Sequence, residues 1–164
     1  MIAKSTHTLA EQGTVRSLYA ADVTQVAHIE SLSMAQQAWS ACELRDTLQQ
    51  PGCHGLVLEV AGNLVGYLVY ARQKREVLLL RVVVAPSMRR RGYGSQLVRY
   101  VLERLGRADN TRTPLEFVAR ETALGVQLFA RSLGLRAVRV LPEFYEDTSE
   151  DGYWFQTQQE TQAC

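Results

Sequence analysis

The feature that most restricts the fold of this chain is an aliphatic run that leads through a proline and a basic loop into a helix. Residues Val77–Val84 are aliphatic except for Arg81, which is typical of a central strand buried on both faces. Pro86 ends this strand because proline has no amide hydrogen to donate to a sheet. Apolar residues then recur at helical spacing from Gly92 to Leu105. The sequence therefore predicts a buried strand that runs directly into an amphipathic helix.

The turn between this strand and this helix is a predicted phosphate site. It consists of Arg89, Arg90, Arg91, Gly92, Tyr93, Gly94 and Ser95. The first amides of a helix have no carbonyl partner within it, and the helix dipole adds positive charge there. Glycines let phosphate oxygens come close to the backbone, and arginines supply fork-shaped donors. A Gly-x-Gly pair alone favours a tight turn whose arginines are solvated.

Two well-known phosphate loops are excluded by the sequence. A Walker loop requires the pattern GxxxxGK[ST], which this chain lacks. A dinucleotide-binding fingerprint requires a third glycine at the position where this chain has Leu97. What remains is an Arg-x-x-Gly-x-Gly pattern that directly follows a hydrophobic strand and a proline.

The other segments alternate between predicted strands and predicted helices. The strands are Val15–Tyr19, Gly55–Val60, Leu64–Arg72, Leu115–Arg120, Arg136–Leu141 and Tyr153–Gln158. The helices are Asp22–Leu32, Ser40–Gln49 and Thr122–Leu133. The second of them opens with a capping-box pattern, in which Glu43 follows Ser40 by three residues. This order predicts a mixed α/β sandwich with helices packed on a sheet. For a chain of 164 residues we expect a flexible leader at 1–13 and a single domain at 14–160.

Composition argues against several classes of protein. Hydrophobic residues make up 46% of the chain and charged residues 21%, which is ordinary for a soluble globular protein. The formal net charge of +1 argues against a nucleic-acid partner. No apolar run approaches the roughly 18 residues of a membrane span, and the first residues lack the apolar core of a signal peptide. We therefore expect a cytoplasmic protein with no membrane partner.

Cysteine and histidine predict neither a disulfide framework nor a metal site. The cysteines are Cys42, Cys53 and Cys164, and the histidines are His7, His28 and His54. The cysteines are odd in number and contain no CxxC pair. No metal-ligand spacing relates these residues to one another.

The pattern formed by Arg89, Gly92 and Gly94 resembles motif A of the GNAT superfamily of N-acetyltransferases, [Q/R]-x-x-G-x-[G/A]. The hairpin at Gly62–Gly66 and the segment LFARSLGL at residues 128–135 resemble later motifs of that family. The resemblance implies a mixed, mostly antiparallel sheet of about seven strands with about four flanking helices. It also implies transfer of acetyl from acetyl-CoA to an amine, without a metal.

The resemblance places the co-substrate along the strand and turn described above. In this family the strand before motif A splays from its neighbour, and its backbone pairs with the pantetheine arm. Here that backbone belongs to Val82, Val83 and Val84, whose side chains also suit a plain core. The pyrophosphate is then expected on the amides from Arg89 to Ser95.

The resemblance leaves the catalytic groups open. The tyrosine that often protonates the leaving thiolate is replaced by Ala130, which cannot donate a proton. Tyr145 is the predicted functional tyrosine, although it also suits a purely structural anchor. Glu116 is the predicted general base, although the family register places Val118 there and Glu121 is an alternative.

The sequence leaves three kinds of activity open. The segment FYEDTSEDGYW at residues 144–154 resembles a hairpin of RimI-like protein N-terminal acetyltransferases, with Phe144 and Tyr145 in place of two tyrosines. This favours a protein N-terminal α-amine, such as that of a ribosomal protein, as acceptor. A small-molecule amine is an alternative acceptor, because one fold serves many acceptors. A non-catalytic acyl-CoA-binding domain is the third reading, supported by Ala130, and a homodimer is left open.

Overall fold

The computed structural model describes residues 12–108 and 113–158, without the side chains of 106–108. Most of the leader predicted at 1–13 therefore lies outside the described residues, as do residues 159 and 160 at the end of the predicted domain. Within the described residues, no helix combines the length and apolar character that a membrane crossing requires.

Across residues 12–108 and 113–158, seven strands form one sheet in the order β1-β2-β3-β4-β5-β7-β6. The strands are β1 Thr14–Ser17, β2 Cys53–Val60, β3 Asn63–Arg72, β4 Val77–Val84, β5 Leu115–Arg120, β6 Leu135–Tyr145 and β7 Glu150–Thr157. All neighbouring pairs are antiparallel except β4 and β5, which are parallel. The predicted mixed, mostly antiparallel sheet is confirmed.

Four α-helices in the described part of the chain flank this sheet. They are α1 Val23–Met34, α2 Ala41–Gln49, α3 Tyr93–Ala108 and α4 Leu124–Ser132. The capping box predicted for α2 is present, because the Glu43 amide donates to Ser40 Oγ at 3.2 Å and the Ser40 amide donates to Glu43 Oε2 at 2.8 Å. The order of helices and strands is the predicted one.

The two faces of the sheet carry separate cores. One core joins the sheet to α3 and α4 through residues such as Leu97, Leu115 and Phe155. The other joins it to α1 and α2 through residues such as Val26 and Tyr67. Alternate residues of a strand therefore point to opposite helical layers, which fixes the face that each side chain of β4 and β5 occupies.

β4 is less buried than its aliphatic sequence predicts. Val77 and Val83 are buried, whereas Val82 and Val84 are only half-buried and Leu80 is 37% exposed. The prediction of burial on both faces is wrong for the second half of this strand. The physical reason is that β5 pairs with β4 only near its start, which leaves the later residues beside a gap.

The last two strands form a hairpin and are longer than the predicted Arg136–Leu141 and Tyr153–Gln158. β6 continues through Tyr145 and β7 begins at Glu150. Pro142 is tolerated because β6 is an edge strand with an irregular register between Leu141 and Tyr145.

Candidate active site

β4 and β5 separate after two paired positions, which opens a gap in the middle of the sheet. The two strands are in register at Val77 with Leu115 and at Leu78 with Glu116. β4 then continues to Val84, and β5 continues from Glu116 to Arg120, without further pairing between the two strands. Backbone groups on the facing edges of this gap are available to a ligand, because a strand edge exposes amides and carbonyls.

A bulge in β4 lies at the point where the gap opens. Arg81 pairs with Val69 and Leu79 pairs with Tyr70, so Leu80 is an extra residue opposite β3. A bulge bends its strand and increases the local twist. β4 has no paired position with β5 from this point onward.

The direction of the β4 backbone follows from one hydrogen bond at its end. The Ala85 amide donates to the Val65 carbonyl in β3 at 2.8 Å. Successive residues of a strand direct their amide and carbonyl groups to opposite edges. Val83 lies two residues before Ala85, so its amide and carbonyl groups also point to β3. The amide and carbonyl groups of Val82 and Val84 therefore point into the gap.

The same argument orients the backbone of β5. The Glu121 amide donates to the Asp151 carbonyl at 3.0 Å, at the β7 side. By alternation, Val118 directs its amide and carbonyl to the opposite side, into the gap. The hydroxyl of Tyr145 donates to this Val118 carbonyl at 3.2 Å. Tyr145 and Val82 therefore contribute groups to opposite edges of one gap.

The predicted phosphate turn follows directly from β4. Arg90 has φ 64° and Gly92 has φ 83°, and a Cβ on Gly92 would meet no atom within 4 Å. The Gln96 amide donates to the Gly92 carbonyl at 3.0 Å, which closes the first turn of α3. The amides of Gly94 and Ser95 precede that bond and have no carbonyl within the helix to which they could donate. The turn has the open backbone that an anion requires.

Gly94 differs from Gly92 in the atoms that a side chain at its position would meet. A Cβ on Gly94 would lie 3.4 Å from the ring of Phe129 and 3.8 Å from the Val84 side chain. These are ordinary van der Waals distances, so a methyl group at Gly94 would fit in contact with α4 and β4. The side chain of Tyr93 is buried at 3% exposure, so only its backbone faces the turn.

The three arginines of the turn differ in their surroundings. Arg89 Nε donates to the Val84 carbonyl at 3.1 Å, which closes the turn onto the end of β4. Arg90 and Arg91 are exposed at the tip of the turn. Two guanidinium groups therefore stand in solvent beside the open amides.

Tyr145 is held in place by aromatic and cationic neighbours. Its ring lies edge-on to Phe144, with centroids 5.1 Å apart, and the Arg120 guanidinium lies 4.0 Å from its centroid. Burial raises the pKa of the Tyr145 hydroxyl above its ordinary value of about 10. The hydroxyl is therefore protonated at neutral pH and acts as a hydrogen-bond donor.

Arg120 fastens the β6–β7 hairpin to β5. Its guanidinium donates to both carboxylate oxygens of Asp147, at 2.8 and 3.1 Å, and to Thr148 Oγ1 at 2.9 Å. The Arg120 hydrogen bond lowers the pKa of Asp147 below its ordinary value. Gly152 lets β7 lie close to its neighbours in β5 and β6, because a Cβ there would lie 2.7 Å from Val118 Cγ1 and 3.0 Å from Phe144 Cβ.

Glu116 lies at the paired end of the gap and is 4% exposed. Its Oε2 accepts from Trp154 Nε1 at 3.0 Å, and its Oε1 accepts from the Gln156 side chain. Both carboxylate oxygens thus accept hydrogen bonds from side-chain donors, so a substrate amine would have to compete with Trp154 or Gln156 for an oxygen of Glu116. The role of general base stays a prediction.

Two segments line the gap on the face of the sheet that carries α1 and α2, and we call them the walls of the site. Leu115, Phe117 and Ala119 belong to the core under α3 and α4, so the alternate residues of β5, among them Arg120, point to the other face. On that face the residues between α1 and α2, including Trp39, lie over β4. The β6–β7 hairpin lies over β5. Ala130 is fully buried in the opposite core, so it is not part of either wall.

Sequence reasoning missed several residues that shape this site. They are Glu30, Arg81, Val118 as a carbonyl acceptor, and Arg120. Arg81 had a visible signal, because it is the single charge in an aliphatic strand. Glu30 and Arg120 had none, since charged residues of helices and strands are usually solvated.

The model of the Acetyltransferase (GNAT) family matches residues 15–135, which includes the gap and the turn. The chain belongs to the GNAT family. A candidate [ribosomal protein bS18]-alanine N-acetyltransferase of Bacillus subtilis (strain 168) is 25% identical over 141 residues, which are 85% of this chain and 91% of that protein. GNAT membership identifies this protein as an N-acetyltransferase that moves acetyl from acetyl-CoA to an amine.

Solved structures share the fold at low sequence identity. The crystal structure of the ribosomal-protein-S18-alanine N-acetyltransferase from Escherichia coli has a TM-score of 0.78 at 20% identity, covering 93% of this chain and 99% of that one. A GNAT family acetyltransferase from Elizabethkingia anophelis with acetyl-CoA bound has a TM-score of 0.72 at 13% identity, covering 91% and 99%. Among the residues described for our GNAT protein, no group of His, Cys, Asp and Glu side chains could hold a metal ion.

Proposed function

We propose that this GNAT enzyme acetylates the N-terminal α-amine of a protein, in the manner of the RimI-like enzymes. The observation that carries the proposal is the Tyr145 hydroxyl on the Val118 carbonyl, which sets the β6–β7 hairpin as a wall beside the gap. The other wall is the segment between α1 and α2. A channel between two walls suits the end of an extended chain, whose backbone can pair with exposed strand groups.

Acetyl-CoA is proposed to bind along β4 and the turn. Backbone groups of Val82 and Val84 point into the gap and suit the amides of the pantetheine arm, while Val83 supports the strand from the core. The pyrophosphate suits the amides from Arg89 to Ser95. Arg90 and Arg91 add charge at the tip, whereas Tyr93 and Gly94 contribute backbone only.

The reaction requires the protein mainly to orient the two reactants and to stabilise the charge that develops between them. The amine nitrogen forms a bond to the thioester carbonyl carbon, the carbon–sulfur bond breaks, and the thiolate takes a proton as the amine loses one. An N-terminal α-amine has a pKa of about 7.7–8.0, against about 10.4 for lysine, so much of it is already neutral near pH 7.5. An amide at the β4 edge is suited to stabilise the developing oxyanion.

Tyr145 is proposed as the residue that positions the acceptor and, second, as a proton donor to the thiolate. Its protonated hydroxyl lies at the edge of the gap opposite Val82. Glu116 is proposed as the base that takes the amine proton, and for this the acceptor amine must compete with Trp154 and Gln156 for its carboxylate oxygens. A ribosomal acceptor would agree with the cytoplasmic location that the sequence predicts.

The test is an acceptor panel read by mass spectrometry. The enzyme is incubated with acetyl-CoA and peptides that differ in their first residue and contain an internal lysine, beside the same peptides with blocked N-termini and a set of small amines. We expect acetylation at the free α-amine, localised by fragmentation, and none on the blocked peptides. Acetylation of the lysine or of the small amines alone would contradict the proposal.

A further inference from the structure

The segment that joins α1 to α2, residues 35–40, is held to β4 by one arginine and to α1 by one glutamate. Arg81 Nη2 donates to the Gln37 carbonyl, and the Trp39 amide donates to Glu30 Oε1 at 3.0 Å. The Arg81 guanidinium also lies 4.6 Å from the centroid of the Trp39 ring, which adds a cation–π contact. Side chains of α1 and β4 therefore fix the position of this wall.

Glu30 and Arg81 form an ion pair in which the carboxylate is fully partnered. Glu30 is 1% exposed, and its Oε1 accepts from Arg81 Nε at 2.9 Å. Its Oε2 accepts from the Tyr67 hydroxyl. Burial and Glu30 raise the pKa of Tyr67, so this hydroxyl stays a donor. A buried charge with this many partners is rigid, because any displacement leaves it uncompensated.

The position of Arg81 links this rigid pair to the gap. Arg81 follows the bulge at Leu80 and precedes Val82, whose backbone points into the gap. The side chain of Arg81 points to the α1 and α2 face, as does that of Val83. One residue thus connects the edge of the gap to the wall that contains Trp39.

We propose that Arg81 is a positioning residue for the acceptor: through Glu30, Gln37 and Trp39 it holds the wall between α1 and α2 at a fixed distance from the acetyl group. The inference rests on the proposed function in placing the acceptor between the two walls. Arginine suits this role because its planar fork reaches Glu30 and Gln37 together and stacks on Trp39. Lysine, with a single compact ammonium, cannot make all three contacts.

The experiment compares Arg81→Lys with a matched control, Arg16→Lys. Arg16 also bonds two carboxylates, those of Asp22 and Glu59, but it lies on β1 at the far edge of the sheet. For Arg81→Lys we expect KM for the acceptor to rise about tenfold, with Kd for acetyl-CoA and kcat changed by less than about threefold. Arg16→Lys is expected to leave all three constants unchanged.

A second variant keeps the test decisive if charge removal disturbs folding. Arg81→Met alone would leave Glu30 buried without its cation, whereas Glu30→Gln combined with Arg81→Met removes both charges. We expect this double variant to stay folded and to reproduce the rise in acceptor KM. A lower Tm with unchanged acceptor KM in the folded variants would overturn the inference, as would a parallel loss of acetyl-CoA affinity.

The acceptor in these assays is the best substrate of the wild-type enzyme from the panel, whether a peptide or a small amine. Use of a small amine would refute the N-terminal acceptor but would still measure the effect of Arg81. The two proposals are therefore tested by different measurements. The N-terminal acceptor is tested by which amine is acetylated, and the role of Arg81 is tested by KM for that amine.

Discussion

The hydroxyl of Tyr145 donates to the carbonyl of Val118 across the open edge of β5, at 3.2 Å. These residues are 27 positions apart in the chain, yet their contact sets the hairpin wall at the gap between β4 and β5. Arg120 reinforces the contact from above the tyrosine ring.

Removal of this hydroxyl should impair the reaction more than the fold. We expect Tyr145→Phe to keep the ring contacts with Phe144 and Arg120 and to lose about 1 kcal/mol of stability or less. We expect kcat/KM for the acceptor to fall tenfold or more, because the hairpin loses its anchor and the site its donor. Steady-state kinetics and thermal unfolding test this. Tyr19→Phe, at a side chain 62% exposed, is the control, and wild-type kinetics in Tyr145→Phe would make the residue a scaffold.

Replacement of Gly92 should weaken acetyl-CoA binding in addition to lowering the stability of the fold. Gly92 and Gly134 have φ of 83° and 82°, and a Cβ on either would meet no atom within 4 Å. Alanine at either position should therefore cost a similar amount, about 1–2 kcal/mol. Only Gly92→Ala is expected to raise Kd for acetyl-CoA, by about tenfold, because it reshapes the turn. Calorimetric titration of both variants tests this, and equal affinities would remove the phosphate site from this turn.

Gly152 should be required for the hairpin wall. An added methyl would lie 2.7 Å from Val118 Cγ1, so Gly152→Ala must displace Phe144 or β5. We expect a loss of about 1–3 kcal/mol and a lower kcat/KM for the acceptor. Gly125→Ala is the control, since its methyl would meet nothing within 4 Å in a helix and should be neutral or stabilising. Equal stability of the two variants, measured by denaturant unfolding, would show that the strands adapt without strain.

Stability should fall at acid pH through Asp22. The hydrogen bonds from Arg16 lower the pKa of Asp22, so this carboxylate stabilises the folded state above its unfolded pKa of about 3.9. That contribution is lost as the pH falls from about 3.9 through the lowered folded value. We expect the drop in Tm between pH 5 and pH 3 to be smaller in Asp22→Asn than in the wild type. An identical drop in both proteins would mean that other carboxylates dominate.

Local patterns predicted the elements well. The aliphatic run Val77–Val84 and the strand Leu115–Arg120 have the predicted bounds, and the capping box at Ser40 begins α2 as expected. These features depend on neighbours within a few residues. The prediction of burial on both faces is wrong for the second half of β4, because burial there depends on where β5 departs, and β5 lies beyond α3 in the chain.

The sequence by itself determined the order of elements, the family and the turn from Arg89 to Ser95, because periodicity, capping and glycine placement are encoded over short distances. Tertiary structure alone decided which groups face the gap. The strand order brings β7 beside β5 and puts β6 at the edge, which carries Tyr145 to Val118. Packing of α1 on β3 and β4 likewise joins Glu30 to Arg81, 51 positions away. Such pairs depend on how whole strands and helices meet, and no short pattern in the chain records that geometry.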